Sequence, residues 1–192
     1  LLIIDKESAG LNSRDYSNVD GSKASEITLE NVSVPKENLL GEEGKALNTI
    51  SEVIDLATLA ISAEAVGIMQ KMNELTLDYT KTREQFGQAL SKFQALQHRM
   101  VDTFMVHEQT KSLLLMAAAK MNDKAADTSK SISALKYQIG SAAKLIGEES
   151  IQLHGGMGVT EEMSIGHYFK RLTTIRTIFG NSDYHLKRYS SL

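Results

Sequence analysis

From Leu47 to Tyr79 apolar side chains return every three or four residues: Leu47, Ile50, Ile54, Ala57, Ile61, Ala65, Ile68, Met72, Leu75 and Tyr79. That period belongs to one face of an α-helix and to no strand. At 1.5 Å per residue the helix is on the order of 50 Å long, too long to stand without neighbours to cover its stripe. A second helix is predicted from about Phe93 to Asn122, with Leu96, Met100 and Phe104 in one row and Val101 and Met105 beside it. A third runs from about Ser129 to His154, with Ile132, Leu135, Ile139, Ala142, Ile146 and Leu153 in register. Gly140 and Gly147 lie inside it, each costing about 1 kcal/mol against alanine, and are expected to permit close helix contact. Shorter helices follow Thr160. The expected fold is mainly α: an antiparallel bundle of four or more helices, with the apolar rows as its core.

Before Gly44 the period is two. "LLII", then "NVDGSKASEITLENVSVP" with Asp20-Gly21 as a turn and Ile27, Leu29 and Val32 as strand residues, read as short strands. Such strands do not bury two faces alone. Residues 1–40 are therefore expected to be the tail of a β domain and 41–192 the helical domain. The opening "LLIID" lacks a methionine and sounds like mid-sheet, so the native start and any targeting peptide are expected to lie outside these 192 residues.

Composition excludes several functions. Basic and acidic side chains number 21 and 24, so no positive surplus points to nucleic acid. There is no cysteine, which removes disulfides, thiolate catalysis and sulfur-built zinc sites and leaves any redox chemistry to a cofactor. The longest apolar run, "LLLMAAA", is far short of the roughly 20 residues of a membrane span, and a soluble, cytoplasmic protein is expected.

Two stretches do not read as bundle surface. In "TKTREQFGQALSKFQALQHRM" a helix ends at Arg83, breaks over Phe86-Gly87 and restarts near Phe93-Gln94. Arg83, Gln85 and Gln94 supply donors for a phosphate, and Phe86 an aromatic face for a heterocycle; a glycine-stopped helix end explains the same residues equally well. In "QLHGGMGVTEE" three glycines in four residues follow a helix. Taken alone this is a helix terminator, yet glycine there also lets a flat ligand or phosphate approach backbone amides.

Taken together, "TREQFG…FQALQHRMVD" and "IQLHGGMGVTEEMSIGHYFKR" resemble, in residues and in spacing, the C-terminal helical domain of the acyl-CoA dehydrogenase flavoproteins. The preceding "NVDGSKASEITLENVSVPKENLLGEEGKAL" resembles the last strands of that family's middle domain, so the likeness covers essentially the whole chain. "LDYTKTREQFG" and "GHYFKRLT" most resemble the pimeloyl-CoA dehydrogenase small-subunit type. The resemblance implies FAD as cofactor and an acyl-CoA thioester as substrate, of medium or dicarboxylic chain. A carboxylate takes the α-proton while hydride leaves the β-carbon for the flavin. It further implies that Arg83, Gln85, Phe86 and Gln94 meet the diphosphate and adenosine portion, and that Gln152, Gly155 and Gly156 meet the dinucleotide across a subunit interface, so that the protein is a homo- or hetero-oligomer.

One departure from the family pattern stands in "TIRTIFGNSDYH". Counting from Gln152, Phe179 falls where many members carry the catalytic glutamate, just before Gly180. The alternative position on the first long helix is Ala57, with Thr58 beside it. Neither takes a proton. The catalytic base is thus unassigned. Either a second acyl-CoA dehydrogenase-like subunit brings it, or a displaced group serves, with Asp55 near the substrate by resemblance and Asp183 and His185 after the loop. A third reading is a non-catalytic FAD- or CoA-binding scaffold. His154 and His167 read as structural, and Met69, Met72 and Met105 as acyl-cavity lining or core. This chain alone is expected to be inactive.

Overall fold

A computed structural model describes residues 1–192, in two compact units, Leu1–Ile54 and Asp55–Leu192.

In the first unit, β1 (Leu11–Ser17) and β2 (Lys23–Leu29) form an antiparallel hairpin with Leu11 opposite Leu29 and Ser17 opposite Lys23. The turn is the expected one. Gly21 donates to the Asn18 carbonyl at 3.0 Å, and the Asp20 carboxylate accepts from the Ser22 amide and hydroxyl. The strand pattern was overextended at both ends. Of "LLII" only Leu2 pairs, in a single bridge with Leu39, and Val32 lies beyond β2. The ladder stops because Glu30 donates to the Gly10 carbonyl and Asn31 then turns into the left-handed region at φ 53°. Ile27 and Leu29 are exposed.

The helices are α1 (Leu47–Thr82), α2 (Gln94–Asn122), α3 (Thr128–His154), α4 (Ser164–Ile175) and α5 (Ser182–Ser191). Central among them is α3. It packs on α2, α4 and α5, and all six residues of its predicted row are buried. The core joins five of them, all but Leu153, to Ala65, Val66, Met69 and Met72 of α1, Ala117 of α2, and Ile165 and Leu172 of α4. Both α3 glycines are contact points. A Cβ at Gly140 would sit 1.9 Å from the Ser182 hydroxyl, and one at Gly147 would sit 2.9 Å from the Phe169 ring. No helix is long and apolar enough to cross a membrane.

The predicted stripe of α1 holds in its later turns, where Ala65 and Met72 are buried and Ile61, Ile68 and Leu75 pack against the core, but needs correction in its first turns and in its centre. Its buried face is Asp55, Thr58, Ser62, Ala65, Val66, Met69, Met72, Thr76 and Thr80, shifted around the helix from the apolar row. Leu47, Ile50 and Ile54 are exposed. Small hydroxyl residues tolerate burial because they bond to their own helix: Ser62 donates to the Thr58 carbonyl at 2.7 Å and Thr80 to that of Leu77 at 2.9 Å. A similar correction applies to α2, where Val101, Phe104 and Met105 point outward while Thr103, His107, Thr110 and Ala117 are buried.

Two cations, one buried and one half-buried, tie the ends of the bundle. Arg188 of α5 forms a two-pronged pair with Asp55 of α1, at 2.6 and 3.0 Å, and Ser129 of α3 donates to the same carboxylate at 2.6 Å. Lys136 of α3, 1% exposed, donates to the carbonyls of Ile175 at 2.9 Å, Gly180 at 3.0 Å and Arg176 at 3.4 Å. These are carbonyls at and just past the end of α4, where a cation is favoured.

Burial pushes Lys136 from 10.5 down to about 8. Between those values the unfolded chain holds more protons than the folded one, so this group makes stability rise with pH. The cost of burying its charge is fully present below pH 8 and relieved towards 10.5. Relative to Lys136→Met, the wild-type chain is expected to gain about 1–3 kcal/mol across that window. Urea titrations of both proteins at pH 7.5 and 10 measure it; a wild-type chain that gains nothing, or loses stability, relative to Lys136→Met as pH rises contradicts the assignment.

Candidate functional site

Where α1 ends, the chain makes a two-stranded hairpin, β3 (Glu84–Gln85) and β4 (Gln88–Ala89). Phe86 and Gly87 at its tip both have positive φ, 54° and 78°, the conformation of a two-residue hairpin turn whose twist matches its strands. Phenylalanine there is unusual on two counts: the conformation is strained for a residue with a Cβ, and the ring is 90% exposed. Its one aromatic neighbour is Phe93, edge-on at 6.1 Å.

The hairpin forms one wall of a cavity of about 470 Å³, a volume in the usual range for small-molecule sites. Tyr79 and Arg83 at the end of α1, Gln85 and Leu90 of the hairpin region, Leu96 and Arg99 of α2, and Gln152 to Met157 at the end of α3 line it. At its back the His154 ring stacks on Tyr79 at 4.4 Å. His154 is 3% exposed and its Nδ1 donates to the Ser150 carbonyl at 2.8 Å; burial lowers its pKa, which keeps the ring neutral. Gly155 ends α3 at φ 61°, and neither Gly155 nor Gly156 would meet any atom within 4 Å if it carried a Cβ, so that rim is open.

Five of the seven residues singled out for a dinucleotide therefore share one cavity: Arg83, Gln85, Gln152, Gly155 and Gly156. Phe86 and Gln94 are exposed nearby in sequence, at the hairpin tip and the first position of α2, and do not line it. Asp55 belongs elsewhere. Only 4% exposed, it has both carboxylate oxygens committed to Arg188 and Ser129.

Arg99 was missed from sequence, although it stands in the same "FQALQHRM" stretch. Its guanidinium meets Glu149 at 2.5 Å, whereas the Arg83 side chain has no partner within the chain. The carboxyl end of α3 presents carbonyls that oppose an anion. Arg83, unpaired within the chain, supplies the compensating positive charge. Two guanidiniums, two primary amides, a side-chain-free glycine rim and apolar walls from Leu90, Leu96 and Leu153 match the chemistry of a dinucleotide: diphosphate, ribose and a flat base.

The family model described as the acyl-CoA dehydrogenase C-terminal domain matches residues 45–190. The chain belongs to the acyl-CoA dehydrogenase family. Mitochondrial 2-methylacyl-CoA dehydrogenase of Solanum tuberosum is 30% identical over 184 residues, 94% of this chain and 44% of that protein. The CarC subunit of the caffeyl-CoA reductase-Etf complex of Acetobacterium woodii is 29% identical over 163 residues, 85% of this chain and 43% of its own length. A solved structure of PigA with FAD and proline superposes with a TM-score of 0.92 at 27% identity, covering 99% of this chain and 50% of that one. The chain thus spans about half the length of the relatives it matches. The family includes FAD-bound proteins and subunits of larger complexes.

The loop after α4 carries Phe179 at φ 58° and Gly180 at φ 105°. Lys136 holds the Gly180 carbonyl, and His185 Nε2 donates to the Phe179 carbonyl at 3.0 Å. His185 is buried, with its pKa lowered by burial and its Nδ1 unpartnered. That makes it a neutral brace of the loop. Asp183 sits in the first turn of α5, beside the Asn181 cap that accepts from the Tyr184 amide at 2.9 Å.

Proposed function

We propose that this chain is the C-terminal part of a cytoplasmic FAD-dependent acyl-CoA dehydrogenase, with residues 1–40 the tail of a middle β domain and 41–192 the helical domain, and that its subunit lacks a proton acceptor of its own. One observation carries the reading: Arg83 and Gln152, 69 positions apart in sequence, line a single cavity together with the glycine rim. In it Arg83 and Arg99 would neutralise the diphosphate, the amides of Gln85 and Gln152 would bond its polar edges, and Gly155 and Gly156 would leave room for it against the backbone. Phe86 and Gln94, outside the cavity and exposed, suit the share of the dinucleotide that passes to a neighbouring subunit. FAD, when bound, supplies the hydride acceptor for α,β-dehydrogenation of an acyl-CoA thioester.

This chain's residues do not complete the proton transfer. Phe179 has no basic atom, Ala57 has none, and Asp55 is locked into its ion pair. A second acyl-CoA dehydrogenase-like subunit carrying a carboxylate would complete the site. Co-expression of the complete protein with such a partner, followed by an acyl-CoA assay with an artificial electron acceptor, tests this. Turnover by the complete protein without a partner defeats it, and a colourless, inactive co-complex supports the scaffold reading instead. Within the flavin-bearing oligomer, Arg83→Ala is expected to weaken FAD binding about 10- to 100-fold, the loss of a charge-assisted hydrogen bond of about 1.5–3 kcal/mol. Flavin fluorescence titration of the apoprotein measures it, and unchanged affinity would remove Arg83 from the site.

A further inference from the structure

The imidazole of His154 has one nitrogen in use and one to spare. Nδ1 lies 2.8 Å from the Ser150 carbonyl, which can only accept, so Nδ1 carries the proton. Burial disfavours the imidazolium, and Nε2, at the far tip of the ring, is therefore a bare lone pair. It makes no hydrogen bond within the chain. The structural reading of His154 accounts for Nδ1 and leaves Nε2 unused. The ring is also held in place: Ser150 fixes one edge, and Tyr79 stacks on one face with 23° between the planes. Besides the cavity of about 470 Å³, both rings line a second one of about 270 Å³ beside the start of α4, with Leu75, Met163 and Ile165. The pair is thus a partition with open space on two sides.

A fixed acceptor on a cavity wall calls for a donor from whatever fills the cavity. The diphosphate of a dinucleotide offers acceptors alone and suits Arg83. Donors lie on the nucleoside, in the hydroxyls of the sugar and the exocyclic amine of the base. The amides of Gln85 and Gln152 carry a donor beside each acceptor, and so does the Tyr79 hydroxyl. With Nδ1 spent on Ser150, His154 is the one nitrogen- or oxygen-bearing side chain of that wall that accepts and does not donate.

We propose that His154 is the residue by which this site recognises the nucleoside: its Nε2 accepts a hydrogen bond from the adenosine portion, from the amine of the base or a hydroxyl of the sugar, while Arg83 holds the diphosphate. The inference rests on the dinucleotide reading of the cavity and adds to it a determinant of which nucleotide enters. A nucleotide lacking that donor strands the lone pair in a wall with no other partner for it, and is rejected on that account. Tyr79 takes no part in the bond and sets the plane of the ring.

Calorimetric titration of the complete, flavin-free protein decides, with ADP, with the diphosphate of purine riboside, which lacks the exocyclic amine, and with the 2′-deoxy and 3′-deoxy forms of ADP. At least one analogue is expected to bind the wild-type protein about 5- to 10-fold more weakly than ADP. His154→Phe keeps an aromatic ring on Tyr79 but no acceptor. It is expected to bind ADP as weakly as the wild type binds that analogue and to bind the analogue unchanged, so the preference vanishes and the analogue concerned names the donor. His154→Gln, whose amide oxygen can stand in for Nε2, is expected to restore part of the preference. Arg83→Ala is expected to weaken every nucleotide alike and leave the preference intact. A wild-type protein that binds ADP through Arg83 yet prefers it to no analogue overturns the proposal alone. Equal loss for every nucleotide in His154→Phe also overturns it, since His154 then serves the fold or the phosphates. If the wild-type protein binds none of the nucleotides, the dinucleotide reading falls and the proposal falls with it.

Discussion

Arg188→Ala is expected to lower the stability of the helical unit by about 3 kcal/mol, the low end of the cost of stranding one partner of a buried ion pair. The lower end applies because the guanidinium is still 19% exposed while the Asp55 side chain is 6% exposed. For a protein of this size the loss corresponds to a fall in melting temperature of roughly 6–12 °C. The cause is the carboxylate left behind. Asp55 would keep only the Ser129 hydroxyl among its present partners, and Ser133, which also accepts from Arg188 at 3.2 Å, would lose that contact. Removing both charges, in Asp55→Ala with Arg188→Ala, is therefore expected to cost less than the sum of the single changes, with a coupling of about 1–3 kcal/mol. Thermal melts of the three variants check this; additive losses would show that the pair is not acting as a unit.

The second large effect concerns the loop after α4. In the complete flavin-bearing protein without a partner subunit, Phe179→Glu is expected to raise acyl-CoA turnover by about 10²–10⁴, the usual contribution of a positioned general base, whereas Phe179→Gln leaves it unchanged. The loop gives reason to expect transplantation to work. Its backbone is fixed by Lys136 and His185 through main-chain carbonyls, independently of the side chain at 179, and the Phe179 ring is 41% exposed, so no core packing depends on it. Steady-state assays on the three proteins decide. A Phe179→Glu protein that binds FAD and remains as inactive as the glutamine control would show that the loop does not present this position to substrate.

How much of this was legible in the sequence depended on whether the relevant interaction was local. The α3 row was fully readable, because Ile132, Leu135, Ile139, Ala142, Ile146 and Leu153 are apolar, periodic and buried for the same reason. On α1 hydrophobicity alone found Ala65 and Met72 but missed the polar part of the buried face, since Thr58, Ser62, Thr76 and Thr80 are small enough to pack, and Ser62 and Thr80 satisfy their hydroxyls within the helix. The outward apolar residues of α2 were taken for core, because periodicity shows that a face seeks cover without saying from which molecule. Lys136 and Arg188 were unreadable: their partners lie 39 to 44 and 133 residues away. At the cavity, Arg83 and Gln152 were foreseen through motif spacing, but the hairpin between α1 and α2 was read only as a break, because the turn conformation of Phe86-Gly87 is not one a phenylalanine announces.

Helix α3 also works as a gauge. Lys136, which grips the loop bearing residue 179, and Gln152, which faces the cavity, stand on the same uninterrupted rod, sixteen residues or about 24 Å apart. Inserting a single residue between them would lengthen that span by about 1.5 Å and twist one end by about 100° against the other, so the two ends keep their common bearing only while the residue count between them is held.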